Sequence, residues 1–512
     1  MEYRIQKMII AAACLSMAAA CTGNFEELNT HPTDLDPGIM SSTERVGTLL
    51  PAMTYLLCPQ HENQNQMIDQ IIFGQLGGYY SCANNWEGKN IATYNPSDKY
   101  IQPPFNDILP TFYSNWFNIK EVTGGEGNVF LIATVLRAGI MLRVADTYGP
   151  IPYSMVDGGS FEVPYDRLED LYPAMINDLS AAIESLEGLK GTVSADLALY
   201  DIMFGGDFSK WLKFANSLKF RMAVRMSSMD EGFASKAMQE AMAGGMLLDN
   251  SDNAFLPTND NPVFKSTDEW RDMAVSYTIT TYMNGYNDPR CPYYFTESSK
   301  PGKKYHGHPL GMADGKLTKG DYSLPNLNAS SPLPVFNAAE SYFLMAEAAL
   351  RGWIPGGDAQ ARDYYEAGIK ASMDQWGASI GDYLSKPSPG TVSYDDNNAV
   401  TGSNVIAELD LPAVSWDAEW DMDGHLSQIL VQKYIANFMI GLESWCDFRR
   451  TGYPVLLGSR RDMGNIGPRL MRRLPYPESE RASNPVNYRQ AVDENFGGRD
   501  EATVDLAWAK KD

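Results

Sequence analysis

The stretch "NVFLIATVLRAGIMLRVADTYG", residues 128–149, is apolar on nearly every side of a helical wheel. A helix of that kind has no face for solvent, so other elements must cover it on most sides. The rest of the chain supplies them. Leu168, Leu171, Met175, Leu179, Ala182 and Leu186 recur at steps of three and four, a one-faced amphipathic helix that stops at Gly188. Ser209 is placed to cap the next helix, "SKWLKFANSLKFRMAVRMS", whose Trp211, Ala215, Leu218 and Met222 form one stripe. Later helical stretches are "AAESYFLMAEAALRG" and "DAQARDYYEAGIKASMDQWG", with stops at Gly352 and Gly377, and then "GHLSQILVQKYIANFMIGLESWCDFRR".

Segments 338–351 and 358–377, joined by "GWIPGG", form an antiparallel helical hairpin. Its contact face carries small residues, Ala339, Ala346, Ala349, Ala361 and Ala371. Units of about 35–40 residues packed this way have tetratricopeptide-type geometry. Between the helices, segments 79–110, 249–335 and 378–422 are rich in Gly, Pro, Asn, Asp and Tyr and carry turn chemistry without periodicity. The expected fold is all-α, one large body of helical hairpins with long irregular loops on a ligand-binding face.

The N-terminus reads differently. Arg4 and Lys7 precede an apolar run from Met8 to Ala20, about 13 residues against the ~20 that span a bilayer. Ala18, Ala19 and Ala20 then lead into Cys21, after which "TGNFEELNTHPTD" turns polar. This is the order of a secretory signal peptide, residues 1–20, cleaved before a cysteine. The junction resembles a bacterial lipobox, with Ala18 where Leu is usual, and Cys21 is the expected lipidation site. Residues 21–45 are then a tether to a single domain over 21–512.

Net charge limits the partners. With 64 acidic against 41 basic residues, −23 overall, the surface repels nucleic acid and anionic lipid. Cys58, Cys82, Cys291 and Cys446 show no CxxC pair or zinc-like spacing. A Cys58–Cys82 bridge would suit an oxidising compartment, but four scattered cysteines in so long a chain read as small buried hydrophobes.

Motifs for catalysis are sparse. HExxH, P-loop and GxGxxG patterns are absent from the sequence. His306 and His308 form an HxH in "KYHGHPLG" without a third ligand, and no cofactor or metal is expected. "GASIG", residues 377–381, matches GxSxG in letters, but a helix precedes it where the nucleophile elbow needs a strand. The basic run "RLMRRLPYPESER" reads as internal ion pairing, and Trp211, Trp376 and Trp445 as core residues on helices.

The positive signal lies in the loops. "GGYYSCANNWEGKNIATYNP" sets Tyr79, Tyr80, Trp86 and Tyr94 beside Asn84, Asn85 and Asn90. A second patch, "DEWRDMAVSYTITTYMNGYNDPRCPYYF", carries Trp270, Tyr277, Tyr282 and Tyr286, with Arg290 read as structural. Sugar rings stack an apolar C–H face on indole or phenol, while amides fix their hydroxyls. Trp86, Asn85, Tyr80, Tyr94, Trp270 and Tyr286 are therefore the candidate ligand contacts, with catalytic residues expected to be none.

In this order, several stretches make the chain resemble the SusD/RagB family of Bacteroidetes outer-membrane lipoproteins, in its second SusD-like branch. They are "NFEELNTHPTD", "RVADTYGPIPYS", "WLKFANSLKFRMAVRMS", "YMNGYNDPRCPYYF", "AESYFLMAEAALRGW", "YYEAGIKASMDQWG", "ILVQKYIANFMIGLESWCDFRRTGYPVL" and "RRLPYPESERASNPVNY". The resemblance implies four tetratricopeptide-like hairpins beneath a variable loop face. It also implies a non-enzymatic, lipid-anchored protein, facing the cell exterior. Such a protein captures glycan or peptide for a SusC-like TonB-dependent transporter. A surface glycan-cleaving enzyme and a ligand-free repeat scaffold are the alternatives.

Overall fold

The computed structural model describes residues 41–509, apart from 85, 87, 88, 161, 313, 314 and 398–403. Cys21 and Asn85 lie outside the described residues. The chain divides into a short unit, Met1–Arg45, and one large unit, Val46–Asp512.

The large unit is built on helices α1 (Leu109–Thr123), α2 (Gly127–Tyr148), α3 (Leu168–Glu187), α4 (Phe208–Met226) and α5 (Glu231–Gly244). They continue with α6 (Tyr277–Gly285), α7 (Ala338–Leu350), α8 (Gly357–Trp376), α9 (Met422–Ala436), α10 (Gly441–Thr451) and α11 (Pro485–Phe496). Each long helix up to α5 packs on its sequence neighbour, and α7 packs on α8 and α9. This is the tetratricopeptide-like arrangement that the alanine-lined hairpin predicts. Helix α2 has the length and mean hydropathy, 1.6, of a membrane span, yet the fold covers most of it, as its all-round apolarity requires. Its neighbours α1, α3 and α4 supply the cover.

Several local expectations hold, and several are corrected. The α3 stripe from Leu168 to Leu186 is buried as read. Helix α4 is capped by Asp207, whose carboxylate accepts from the Ser209 and Lys210 amides, and not by Ser209. The Ser209 hydroxyl accepts from Gly191 N instead. In the α7–α8 hairpin Ala339, Ala346, Ala349 and Ala361 are buried while Ala371 is half-exposed. The Phe343 ring packs on Gly368 of α8, where a Cβ would meet it at 2.9 Å. Trp211 and Trp445 are core, whereas Trp376 is half-exposed. The stretch 424–450 is two helices, broken between Ala436 and Gly441, because α10 turns to meet the π-helix Gln66–Gly74. The two backbones touch there: a Cβ on Gly441 would lie 2.4 Å from Phe73 O.

The irregular segments are also more structured than their composition suggests. They contain α6 and three two-stranded antiparallel sheets. These pair β1 (Tyr80–Cys82) with β3 (Met273–Val275), and β2 (Ala254–Leu256) with β4 (Leu333–Phe336). The third is the hairpin of β5 (Gly390–Asn397) and β6 (Asn404–Leu411). Gly377 closes α8 in the left-handed region, φ +67°, so "GASIG" is a helix stop.

Buried ion pairs tie α2, α4, α7, α9 and α10 together. Arg225 on α4 reaches Asp146 of α2 at 2.9 Å and Glu443 of α10 at 2.5 Å. Arg221 holds both Glu340 oxygens at 2.8 Å. Lys433 meets Asp447 at 2.9 Å, and Arg450 meets Glu347 and, at 3.0 Å, Asp447. Burial alone would raise the Glu443 carboxyl, but Arg221, Arg225 and Lys433 outweigh it and hold it below its usual range. For Asp146 burial wins and its pKa is raised. The basic run near the C-terminus pairs internally as expected, Arg472 with Asp505 and Arg473 with Asp500, both at 2.6 Å.

Candidate functional site: an aromatic pocket

The short β1–β3 ladder carries the site. Its register, Tyr80 opposite Val275 and Cys82 opposite Met273, leads Ala83 and Asn84 out beside Asp272. Pairing then continues past the strands. The amides of Ala83 and Asn84 donate to Asp272 O at 2.9 and 3.4 Å, and Asn84 Nδ2 donates to Asp272 Oδ1 at 3.1 Å. Asn84 Oδ1 in turn accepts from Trp86 N at 3.3 Å. A third segment is stitched to both, with Gly315 N donating to Ala83 O at 2.9 Å and Leu317 N to Arg271 O at 3.0 Å. Trp86 and Arg271 adopt positive φ, 26° and 60°, unusual for bulky side chains and a form of strain concentrated at binding sites.

This knitting brings Trp86 and Trp270, far apart in sequence, onto one cavity of roughly 600 Å³. Both indoles are half-buried. Gln66 and Met67 line it from the start of the π-helix and Asn63 from the helical turn before it, and Lys99, Tyr100, Asp272 and Lys316 complete the described wall. Tyr100 Oη donates to Trp86 O at 3.3 Å, and Lys99 Nζ lies 5.4 Å from the Tyr100 ring centre. Gln66 is 6% exposed, and among the described residues its Nε2 has no hydrogen-bond partner. A buried amide left unpaired costs about 1–3 kcal/mol.

The structure thus unites two of the sequence candidates and separates three others from the cavity. Tyr80, Tyr94 and Tyr286 are core residues, 1%, 5% and 2% exposed. Tyr80 is the first residue of β1, and its buried ring packs near Phe438. Tyr94 Oη accepts from Ser459 N at 2.9 Å, and Tyr286 Oη donates to Pro412 O at 2.9 Å. Tyr79 and Tyr282 behave alike, donating to the carbonyls of Tyr434 and Val455. In each of these four bonded tyrosines the ring enters the core and the hydroxyl bonds backbone, that of helix α9 for Tyr79 and of loops for Tyr94, Tyr282 and Tyr286. Asn90 caps the turn Ile91–Thr93, accepting from Ala92 N at 2.8 Å.

The residues that the sequence did not single out are Asn63, Gln66, Met67, Lys99, Tyr100, Asp272 and Lys316. None sits in a motif; only the fold assembles them. The remaining chemistry is structural. His306 stacks on Tyr394 and sits 3.3 Å from Asp396, while His308 Nδ1 meets Ser81 Oγ at 2.8 Å. Among the described residues no His, Cys, Asp and Glu cluster could hold a metal. Cys58, Cys82, Cys291 and Cys446 are free and buried, and burial pushes each thiol up. Arg290 is fully buried on Asp288 at 2.6 Å, structural as expected.

Fold and cavity together define a helical-repeat protein presenting an aromatic pocket built from loops. The sequence profile "SusD-like: Susd and RagB outer membrane lipoprotein" matches residues 27–509, and the chain belongs to that family. It is similar to a SusD-like protein from Bacteroides thetaiotaomicron, with 33% identity and TM-score 0.86, covering 91% of this chain and 99% of that one. A SusD homolog from Bacteroides uniformis gives 33% identity and TM-score 0.83 over the same shares. A chitin-binding SusD homolog from Flavobacterium johnsoniae gives 29% identity and TM-score 0.82, again over 91% and 99%. No curated protein shows significant sequence similarity to the chain.

Proposed function

We propose that this protein is a non-enzymatic surface receptor that captures a glycan in the Trp86–Trp270 pocket and passes it to a SusC-like TonB-dependent transporter. The observation that carries the reading is the pair of half-exposed indoles on one cavity, with the polar side chains of Asn63, Lys99 and Lys316 on the same wall. Stacking platforms plus a few fixed polar groups suit sugar rings. Chitin binding by the Flavobacterium johnsoniae relative supports the same ligand class. Among the described lining residues Asp272 is the sole carboxylate, whereas glycoside hydrolysis ordinarily needs two flanking the bond. The direct test is a titration of the purified protein against oligosaccharide and peptide panels, with product analysis of each mixture. Binding of sugars without cleavage fits the reading; peptide-only binding or sugar release overturns it.

The transporter and the anchor are tested separately. Affinity purification from solubilised outer membrane should recover a large β-barrel partner in one-to-one ratio; repeated recovery of the protein alone counts against the partnership. Cys21, in the Ala-Ala-Ala-Cys junction, carries the proposed lipid. Multiple acyl chains at ~0.8 kcal/mol per buried CH₂ would hold it on the membrane. Cys21→Ser should fold normally yet lose acyl label and leave the membrane fraction. Wild-type labelling of that variant would remove Cys21 as the anchor.

A further inference from the structure

The charge in the pocket runs against the charge of the chain. The whole sequence carries −23, with 64 acidic residues. The described wall of the cavity instead holds two lysines, Lys99 and Lys316, against one carboxylate, Asp272. Asp272 is 8% exposed and accepts a hydrogen bond from Asn84 Nδ2, so its charge is turned into the loop knit. The lysines are exposed. Most basic residues here have a carboxylate, as Lys213 has Asp252, Lys300 has Asp396 and Lys319 has Asp268. Among the described residues Lys99 and Lys316 form no ion pair, and the nearest ring to Lys99 is that of Tyr100. Lys99 and Lys316 thus bring two unpaired cations to one aromatic cavity of an acidic chain.

We infer that the ligand is an anionic glycan. Its rings stack on Trp86 and Trp270, and its uronate carboxylates or sulfate esters face Lys99 and Lys316. A neutral glycan would leave both ammonium groups without a counter-charge. A chain that binds only through its rings would not need them. The negative surface around the pocket would slow the approach of an acidic chain, and local cations focus it onto the site. This inference rests on the glycan reading above and narrows it.

The experiment is calorimetric titration of the detergent-solubilised lipoprotein with matched tetrasaccharides. Tetragalacturonate is compared with galactotetraose, and a hyaluronan and a chondroitin 4-sulfate tetrasaccharide with chitotetraose. The expected result is that at least one acidic probe binds tenfold or more tighter than its neutral counterpart at 50 mM salt. That gap should narrow at 500 mM, where the screening length falls to a few ångströms. Preference among the acidic probes then tells carboxylate from sulfate. The Lys99→Gln, Lys316→Gln double variant should lose at least tenfold in affinity for the acidic probe with an unchanged melting temperature. Equal or tighter binding of the neutral probes, or undiminished acidic binding in the double variant, overturns the anionic assignment. If those neutral probes still need Trp270, tested as Trp270→Ala, the glycan reading stands. If none of the probes binds, or binding ignores Trp270→Ala, the glycan reading falls and this inference with it.

Discussion

Replacing Arg225 with methionine should cost about 3–5 kcal/mol of folding stability, the usual price of breaking a buried ion pair from one side. The side chain is 2% exposed and joins Asp146 of α2 to Glu443 of α10. Without it, both carboxylates stay in the core with less countercharge. Glu443 would keep Arg221 at 3.6 Å, so Asp146 is the more exposed to the loss. Its pKa is already raised by burial, and removing Arg225 removes the main group that lowers it. The presence of such a cluster does not by itself outdo an apolar core of equal volume. What it does is make each member depend on the others. Urea unfolding followed by circular dichroism measures the cost. A loss below 1 kcal/mol would mean that the five helices are held by apolar packing alone. Exposed pairs such as Lys190–Glu187 offer the contrast, since removing one should change stability by under 1 kcal/mol.

The second large effect concerns the indoles. Trp86→Ala and Trp270→Ala should each lower ligand affinity more than tenfold, about 2 kcal/mol, the size of a binding hot spot. Melting should move little, because both side chains are only half-buried. A core tryptophan truncated to alanine would instead cost ~3–5 kcal/mol of stability, as expected for the fully buried Trp211 or Trp445. Trp86 also packs in part on the core, so of the two its melt is the more informative. Titration with whichever oligosaccharide the panel identifies reports binding, and differential scanning calorimetry reports the fold. A sharply lowered melt, or undiminished binding, would make Trp86 a structural anchor and move the site elsewhere.

Helices were legible wherever one face or every face was apolar, as in α2, α3 and the α7–α8 hairpin. The break between α9 and α10 was not, because "NFMIG" is as apolar as its flanks and only the meeting of Gly441 with the π-helix backbone requires a turn. The β5–β6 hairpin was hidden for a different reason. Its strands do alternate, but Asp396 occupies an inward position, where Lys300, His306 and Tyr322 hold its carboxyl well below the usual range against burial. An inward aspartate erases the apolar alternation that marks a strand. In the site, tyrosine and tryptophan looked equivalent as stacking platforms. The fold separates them by what the polar tip does: Tyr94 and Tyr286 spend the hydroxyl on loop backbone, while Trp86 and Trp270 line the cavity. Lys99, Lys316 and Gln66 gave no signal, since single polar residues acquire meaning only from their neighbours in space.

The knit around Asp272 has a consequence for how the protein is made. Asn84 and Asp272 are 188 residues apart, and the third segment of the knit arrives only with Gly315 and Leu317. Closing so long a loop carries an entropic cost that local contacts cannot repay, so structures of this kind form after the helical hairpins they rest on. A chain emerging across a membrane therefore has no pocket until most of its length has been delivered. Binding competence then arrives as one of the last events of folding, and a bound ligand certifies a finished molecule.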